Sequence, residues 1–192
     1  MNPDIPPIVS IVGRSNSGKT TLIEKLIPEL KRRGYRIGTI KHTHHAPDID
    51  RPGKYSSRHS AAGADTVMLA SSGRVAMIKQ TDSEVIDALA GYFNDVDLLM
   101  TEGYKHESKP KIEVVRAAMG TELLCRNDPR LVAVATDAHI AIGVPVFRLD
   151  DPGTIADFIE QKFLKAGHAG EPAPGAARGG GGVRPPGPVA EA

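Results

Sequence analysis

The chain has 192 residues, a formal net charge of +1 and a single cysteine. This length suits one domain with a sizeable core. The near-neutral charge argues against a general nucleic-acid-binding surface and against a polybasic membrane patch. One cysteine excludes a disulfide within the chain and fits a reducing compartment. Because no apolar run approaches the length of a membrane span, we expect a cytoplasmic protein.

Composition divides the chain near residue 166. Half of residues 167–192 are Gly or Pro, and this stretch contains no Leu, Ile or Phe. Such a composition cannot bury enough apolar surface to offset the entropy of ordering. We therefore predict one folded domain over 1–166 and a disordered tail over 167–192.

Short apolar strands alternate with amphipathic helices along the domain. The pattern predicts a strand at PIVSIVG, a helix at GKTTLIEKLIPELKRRG that ends at Gly34, a strand at YRIGTIKH, a short helix over 55–62 and a hairpin of TVMLA and RVAMIK. Further along it predicts a helix at SEVIDALAGYF capped by Ser83 or Asp82, strands at DLLMTEG, KIEVVR, LVAVATD and VPVFRL, and a final helix at DPGTIADFIEQKFLK. This order predicts an α/β fold, with a mostly parallel sheet, helices on both faces and an added antiparallel hairpin.

The first strand and helix flank a complete phosphate-loop motif. Gly13, four further residues and then Gly18-Lys19-Thr20 match G-x-x-x-x-G-K-[ST] between a strand and a helix, as the motif requires. In such loops the backbone N–H groups and the helix dipole bind phosphate oxygens, the lysine reaches the β and γ phosphates, and the threonine hydroxyl ligates Mg²⁺. The motif thus predicts a three-layer P-loop NTPase fold, the alternative being a Gly-rich turn with an accidental Lys-Thr. The predicted nucleotide-binding residues of the loop are Gly13, Arg14, Ser15, Asn16, Ser17, Gly18, Lys19, Thr20 and Thr21.

A carboxylate at the end of a buried strand is the expected partner of this loop. In DLLMTEGYK, Glu102 follows the apolar run 98–100 and lies at the carboxyl end, where sites of this fold class gather. We expect Glu102 to act in catalysis with Lys19, either by holding Mg²⁺ through water or by orienting the attacking water. A solvated carboxylate is the alternative. Asp97 is expected to be structural, because it lies about 15 Å away at the other end of the strand.

Base selection is predicted for Thr136 and Asp137, which end the strand LVAVATD. A carboxylate here could accept from both the N1–H and the N2–H₂ of guanine, a donor pair that adenine lacks. The usual N/T-K-x-D guanine signature is incomplete, since no lysine stands two residues before Asp137. An aspartate that caps a loop is the alternative.

Histidines, cations and carboxylates crowd the stretch 40–64. One interpretation is a metal site built on its histidines, although the adjacent His44 and His45 point opposite ways on an extended chain. Another is a switch-like loop that covers the nucleotide, presents cations to a second phosphorylated ligand and places Asp48 or Asp50 near Mg²⁺. The third is a solvated polar loop. On the second interpretation the candidate metal ligands are Thr20, Asp48, Asp50 and Glu102.

Three segments together resemble one known family. GRSNSGKTTLIEKLIPELKRRGYRIGTIKHTHH, DIDRPGKYSSRHSAAGA and DLLMTEGYKHESKPKIEVVR are similar to the MobB proteins, molybdopterin-guanine dinucleotide biosynthesis adaptor proteins. The resemblance implies a dimeric GTP-binding protein with weak GTPase activity, which assists the transferase MobA in joining GMP from GTP to molybdopterin. It therefore implies GTP and Mg²⁺ as cofactors, and as partners a MobA-type guanylyltransferase, molybdopterin or its precursor, and a second copy of the chain. The family motifs fall on 13–21, on 41–50 and on Glu102-Gly103, and the Gly/Pro-rich tail departs from the family pattern.

Two other function classes are compatible with the phosphate loop. A metal-delivery GTPase also carries histidine-rich segments beside such a loop. A small-molecule P-loop kinase uses the same loop, although no Arg-rich lid stands out in this sequence.

Overall fold

A computed structural model describes residues 5–43, 55–81 and 83–165. The strands are β1 Ile8–Val12, β2 Ile37–Lys41, β3 Thr66–Ser71, β4 Arg74–Lys79, β5 Leu98–Glu102, β6 Lys111–Val115, β7 Leu131–Thr136 and β8 Val146–Arg148. The helices are α1 Lys19–Arg32, α2 Tyr55–Ala61, α3 Ile86–Ala90 and α4 Pro152–Ile159, which a π-helical turn Glu160–Lys165 continues. None of these described helices is long and apolar enough to cross a membrane. The predicted tail, 167–192, lies outside the described residues.

Six of the strands form one sheet in the order β2-β5-β1-β6-β7-β8, and β3 pairs with β4 separately. Every pairing in the larger sheet is parallel, whereas β3 and β4 are antiparallel. The predicted α/β fold with an added hairpin is therefore confirmed. Since the carboxyl ends of parallel strands meet at one edge, the chain segments that follow β1, β5, β6 and β7 lie side by side.

The central strand β1 is buried on both faces, as its mainly apolar sequence predicts. Val9 and Ile11 pack into a core formed with α1 and α4. Ile8 points to the other face, where it packs with α3, and Val12 packs there with Leu123. Helices cover both faces of the sheet, as predicted. On the face that contacts α3, this helix has only five residues, and chain without regular secondary structure covers the rest of the sheet.

The end of α1 at Gly34 is confirmed in atomic detail. Gly34 has a φ of 94°, a left-handed conformation that glycine adopts without steric cost. Its N–H donates to the carbonyl of Lys31 at 2.9 Å, and the N–H of Tyr35 donates to the carbonyl of Leu30 at 3.2 Å. These two bonds form a Schellman motif, which satisfies carbonyls that the end of a helix would otherwise leave unpaired.

The predicted helix at SEVIDALAGYF is wrong in its length and in its cap. Only Ile86–Ala90 is helical, Val85 occupies the N-cap position, and no side chain caps the helix. The Ser83 hydroxyl instead accepts from the Val85 N–H at 3.3 Å, while the Ser83 N–H donates to the Thr81 hydroxyl at 3.2 Å. These local side-chain bonds compete with the first helical turn. The other predicted cap, Asp82, lies outside the described residues.

Two charged side chains of β6, Lys111 and Glu113, are about 1% exposed. The Lys111 ammonium donates to the Asp128 carboxylate at 2.7 Å and to the Glu107 carbonyl at 2.6 Å. The Glu113 carboxylate accepts the backbone N–H groups of residues 124 and 125, at 2.7 and 2.9 Å. These bonds satisfy the buried charges and fix the chain that covers the sheet beside the phosphate loop.

Candidate nucleotide-binding site

The phosphate loop has the backbone that its glycines predict. Gly13, Asn16 and Gly18 all have positive φ, at 141°, 60° and 98°. A Cβ at Gly13 would lie 2.4 Å from the carbonyl oxygen of Val114 on β6, so no larger residue fits there without a shift of backbone. The loop therefore closes tightly over the end of the sheet and leads directly into the positive end of α1.

Lys19 is folded back over this loop. Its ammonium donates to the carbonyls of Gly13 at 3.1 Å and of Arg14 at 2.7 Å. Burial lowers the pKa of Lys19, the nearby Glu102 carboxylate opposes that shift, and the Lys41 ammonium adds to it. The Lys19 ammonium, the predicted phosphate-binding cation, is thus partly desolvated at the mouth of the loop. Its electrostatic attraction for an anion is stronger there than in bulk water.

The other loop residues contribute in different ways. Ser17 is 1% exposed, and its hydroxyl has no hydrogen-bond partner among the described residues. Arg14 forms an ion pair with Glu122 at 3.1 Å, which links the loop to the segment after β6. Ser15 and Thr21 are exposed. A buried hydroxyl without a hydrogen-bond partner lowers the stability of the fold. The Ser17 hydroxyl is therefore a free donor inside the loop, to which a ligand oxygen could bind.

Thr20 and Glu102, which the sequence predicts to work together, are in direct contact. The Thr20 hydroxyl lies 2.9 and 2.8 Å from the two oxygens of the Glu102 carboxylate. Lys41, at the end of β2, places its ammonium 3.2 Å from Glu102 and 3.4 Å from the Thr20 oxygen. The register explains the contact, because Glu102 pairs with Ile11 of β1 on one side and with Lys41 on the other.

The oxygens of Thr20 and Glu102 fit Mg²⁺ in chemistry and in position. Hydroxyl and carboxylate oxygens are ligands that Mg²⁺ prefers, and this cation is commonly held by one or two carboxylates together with substrate phosphates. The two further predicted ligands, Asp48 and Asp50, lie outside the described residues, as do His44 and His45. The described residues contain no group of three or more His, Cys, Asp or Glu side chains that is placed to hold a metal ion.

The segment that begins the predicted switch loop packs against the residues after Glu102. The His42 ring lies 4.8 Å from the ring of Tyr104, and its Nε2 lies 3.1 Å from the Glu84 carboxylate. Tyr104 has a φ of 58°, in the left-handed region that a bulky residue adopts only at a cost. Gly103 has a φ of 97°, which favours glycine, and it lies beside His42, whose Cβ would be 3.4 Å from a Cβ at this position. The Glu102-Gly103 motif and the start of the 41–50 segment therefore form one contiguous surface.

The predicted base reader Asp137 lies in a cleft of about 520 Å³ at the same edge of the sheet. The cleft is lined by Lys25, Arg116, Thr136, Asp137, Ala138, His139, Val146, Phe147, Arg148, Leu149 and Asp150. One Asp137 oxygen accepts the Ala117 N–H at 2.7 Å, and the other lies 3.3 Å from a nitrogen of Arg116. These contacts, the Ala117 N–H foremost, lower the pKa of Asp137 and keep it ionised. Asp137 thus caps the turn after β6 and also faces the cleft. The structure is compatible with both interpretations of this residue, as a base reader and as an aspartate that caps a loop.

Sequence reasoning missed Arg116. KIEVVR ends a strand without any motif, and an arginine after a strand is common on protein surfaces. The informative signal is the strand order, which places β6 between β1 and β7 and so puts Arg116 between the phosphate loop and Asp137. That order could not be read from the sequence pattern alone.

Comparison with known proteins decides the family. The profile of the family described as "MobB: Molybdopterin guanine dinucleotide synthesis protein B" matches residues 8–137. The chain belongs to the MobB family. A relative from Haemophilus influenzae, named molybdopterin-guanine dinucleotide biosynthesis adapter protein, is 43% identical over 83% of this chain and 90% of its own length. A relative of the same name from Escherichia coli is 40% identical over 83% of this chain and 94% of its own length.

Solved MobB structures share the fold. The Bacillus subtilis MobB structure superposes with a TM-score of 0.65 at 27% identity, covering 82% of this chain and 98% of that one. A crystal structure of molybdopterin-guanine biosynthesis protein B has a TM-score of 0.63 at 33% identity, covering 80% of this chain and 97% of that one. The predicted P-loop NTPase fold and the resemblance to MobB are both confirmed.

Proposed function

We propose that this chain is a GTP-binding adapter of molybdopterin guanine dinucleotide synthesis, which assists a MobA-type guanylyltransferase and hydrolyses GTP weakly. The observation that carries the proposal is the direct contact between Thr20 and Glu102 beside Lys19, at the carboxyl edge of a parallel sheet. Phosphate loops work with an acidic strand-end residue of this kind. The names of the curated relatives, which describe adapter proteins of this synthesis, support the assignment of a role.

In this proposal the nucleotide phosphates lie against the loop 13–21. Lys19 leaves the carbonyls it now bonds and donates to the β and γ phosphates, which replaces two neutral acceptors with charged ones. The N–H groups at the start of α1 add their dipole. Thr20 and Glu102 would hold Mg²⁺, which would neutralise charge on the β and γ phosphates when bound.

Weak hydrolysis follows from the small number of groups available for it. Glu102 is the described carboxylate in contact with Thr20, and it is already shared between Thr20 and Lys41. A carboxylate whose oxygens already contact a hydroxyl and an ammonium has fewer free lone pairs with which to hold a water molecule. We therefore expect Glu102 to orient water slowly, so that the protein acts mainly as an adapter.

Guanine selection by Asp137 remains part of the proposal. Its carboxylate faces the cleft and is held by the Ala117 N–H and by Arg116, and a carboxylate retains further lone pairs for guanine N1–H and N2–H₂. Thr136 is 3% exposed, and its hydroxyl accepts the Ala138 N–H at 3.0 Å, which fixes the turn that presents Asp137.

We also propose that the protein acts as a homodimer in the cytoplasm. One face of the β3–β4 hairpin exposes Met68, Val75 and Met77, whose side chains are 59%, 60% and 41% exposed. Met68 pairs directly with Met77 across the ladder, and Val75 lies two residues along on the same face. A contiguous exposed apolar face of this kind is typical of a protein interface. Molybdopterin or its precursor would reach the site with the partner transferase.

Equilibrium titration with a fluorescent GTP analogue tests the binding proposal. Lys19→Ala should weaken GTP at least tenfold, because a lost charge-assisted hydrogen bond to a phosphate is worth roughly 1.5–3 kcal/mol. Lys31→Ala removes the same charge from the exposed far end of α1 and should leave the affinity unchanged. Equal affinities for wild type and Lys19→Ala would remove the phosphate-loop assignment, and equal competition by ATP and GTP would remove guanine selection.

A further inference from the structure

Arg116 occupies the space between the phosphate loop and the cleft that contains Asp137. It directly follows β6, which lies between β1 and β7 in the sheet. Neighbouring strands are about 4.8 Å apart, so the phosphate loop after β1 and Asp137 after β7 are roughly 10 Å apart at this edge. A nucleotide with its phosphates on the loop and its base at Asp137 must pass over Arg116.

The guanidinium of Arg116 lies against the start of α1. A Cβ at Gly18 would be 3.3 Å from Nη2, 3.7 Å from Nε and 3.9 Å from Cζ, so the absence of a side chain at Gly18 makes room for this contact. Arg116 lines the cleft of about 520 Å³, and it also lines a smaller hollow bordered by Arg14 and Ser17 of the loop. One side chain therefore faces both halves of the proposed site.

Much of the hydrogen-bonding capacity of Arg116 is unused. Among the described residues its side-chain acceptor is Asp137, through Nη1 at 3.3 Å. The two side chains are 42% and 40% exposed, and ion pairs that are this long and this exposed contribute little to stability. A guanidinium has five N–H donors in a planar fork, which matches the oxygens of a phosphate. Nε and Nη2, the atoms nearest Gly18, are left to donate to a ligand.

We propose that Arg116 binds the α-phosphate of the guanine nucleotide while its other edge remains paired with Asp137. This inference rests on the proposed function, since it assumes that GTP occupies the loop and the cleft. The β and γ phosphates lie with Lys19 and with the Thr20–Glu102 pair, so the α-phosphate is the anionic group nearest to β6. Arg116 is then a nucleotide-binding residue that connects phosphate recognition with base recognition.

Titration of wild type, Arg116→Gln and Arg116→Lys with GTP, GDP and inosine triphosphate tests the proposal. Arg116→Gln should weaken GTP and GDP to the same degree, by tenfold or more, because both carry the α-phosphate. Arg116→Lys should recover part of the loss, because it keeps the charge. The ratio of GTP to inosine triphosphate affinity should not change, since the Ala117 N–H still holds Asp137 at 2.7 Å.

The controls separate this proposal from a structural role and from the proposed function itself. Arg32→Gln makes the same change at the far end of α1, where the side chain is 71% exposed, and should bind like wild type. Thermal melting of each variant shows that it is folded. Unchanged GTP and GDP affinities in Arg116→Gln overturn the inference alone. A fall in the GTP to inosine triphosphate ratio without rescue by lysine means that Arg116 only positions Asp137, which also overturns it. Absence of GTP binding to wild type overturns the proposed function and the inference together.

Discussion

At the residue scale, the most demanding feature of the chain is the buried ammonium of Lys111. A buried charge persists only when it is paired and hydrogen-bonded, and Lys111 has one carboxylate partner, Asp128, together with one carbonyl. The Lys111 bond, followed by the Arg130 N–H, lowers the pKa of Asp128. The pair holds the amino end of the strand whose carboxyl end carries Arg116.

Asp128→Ala should lower the free energy of unfolding by about 3–5 kcal/mol at neutral pH, because it leaves Lys111 buried with a carbonyl alone. Lys111→Met in the Asp128→Ala background should recover most of that loss, since no unpaired charge remains. The pH dependence has a defined sign. A carboxyl with a lowered folded pKa stabilises the fold above its unfolded pKa, about 3.9, and this contribution is lost as the pH falls toward the folded value. Chemical denaturation between pH 7 and 3 measures both effects, and equal stability of wild type and Asp128→Ala at pH 7 would contradict the assigned pairing.

At the scale of the elements, the hairpin β3–β4 stands apart from the main sheet and exposes an apolar face. Met77→Glu places a charge in the centre of that face and should shift the protein from dimer to monomer. Gln161→Glu adds the same charge on an exposed position outside the hairpin and should leave the dimer intact. Sedimentation equilibrium measures the mass of each variant. A monomeric wild type, or a Met77→Glu protein that stays dimeric, would contradict the proposed interface.

The sequence predicted the elements with strong local signals and failed where local side-chain hydrogen bonds compete with a helix or where the strand order decides. The strand and helix that flank the phosphate-loop motif, the glycine ending of α1 and the buried strands are specified by residue type and spacing, and all of them are confirmed. The helix near Ser83 is shorter than predicted, because side-chain hydrogen bonds at Thr81 and Ser83 compete with its first turn. Arg116 could not be identified because its position depends on the order of strands in the sheet.

At the scale of the whole molecule, one edge of the sheet collects every candidate functional group among the described residues. The loop after β1 carries Lys19 and Thr20, β5 ends in Glu102, and β7 is followed by Asp137. The hairpin forms a separate sheet, and its exposed apolar face is the proposed contact with a second copy. This arrangement suits the proposed function, in which the protein binds nucleotide and other proteins together.

The most direct test of this account is the rate at which a MobA-type guanylyltransferase forms the guanine dinucleotide from GTP and molybdopterin, measured with and without this protein. The account predicts that the wild-type protein raises the rate and that Lys19→Ala, added at the same concentration, does not. Lys31→Ala should act like wild type, because it leaves the phosphate loop intact. A rate that wild type leaves unchanged, or that Lys19→Ala raises equally, would contradict the proposal that nucleotide binding at this loop serves the transferase.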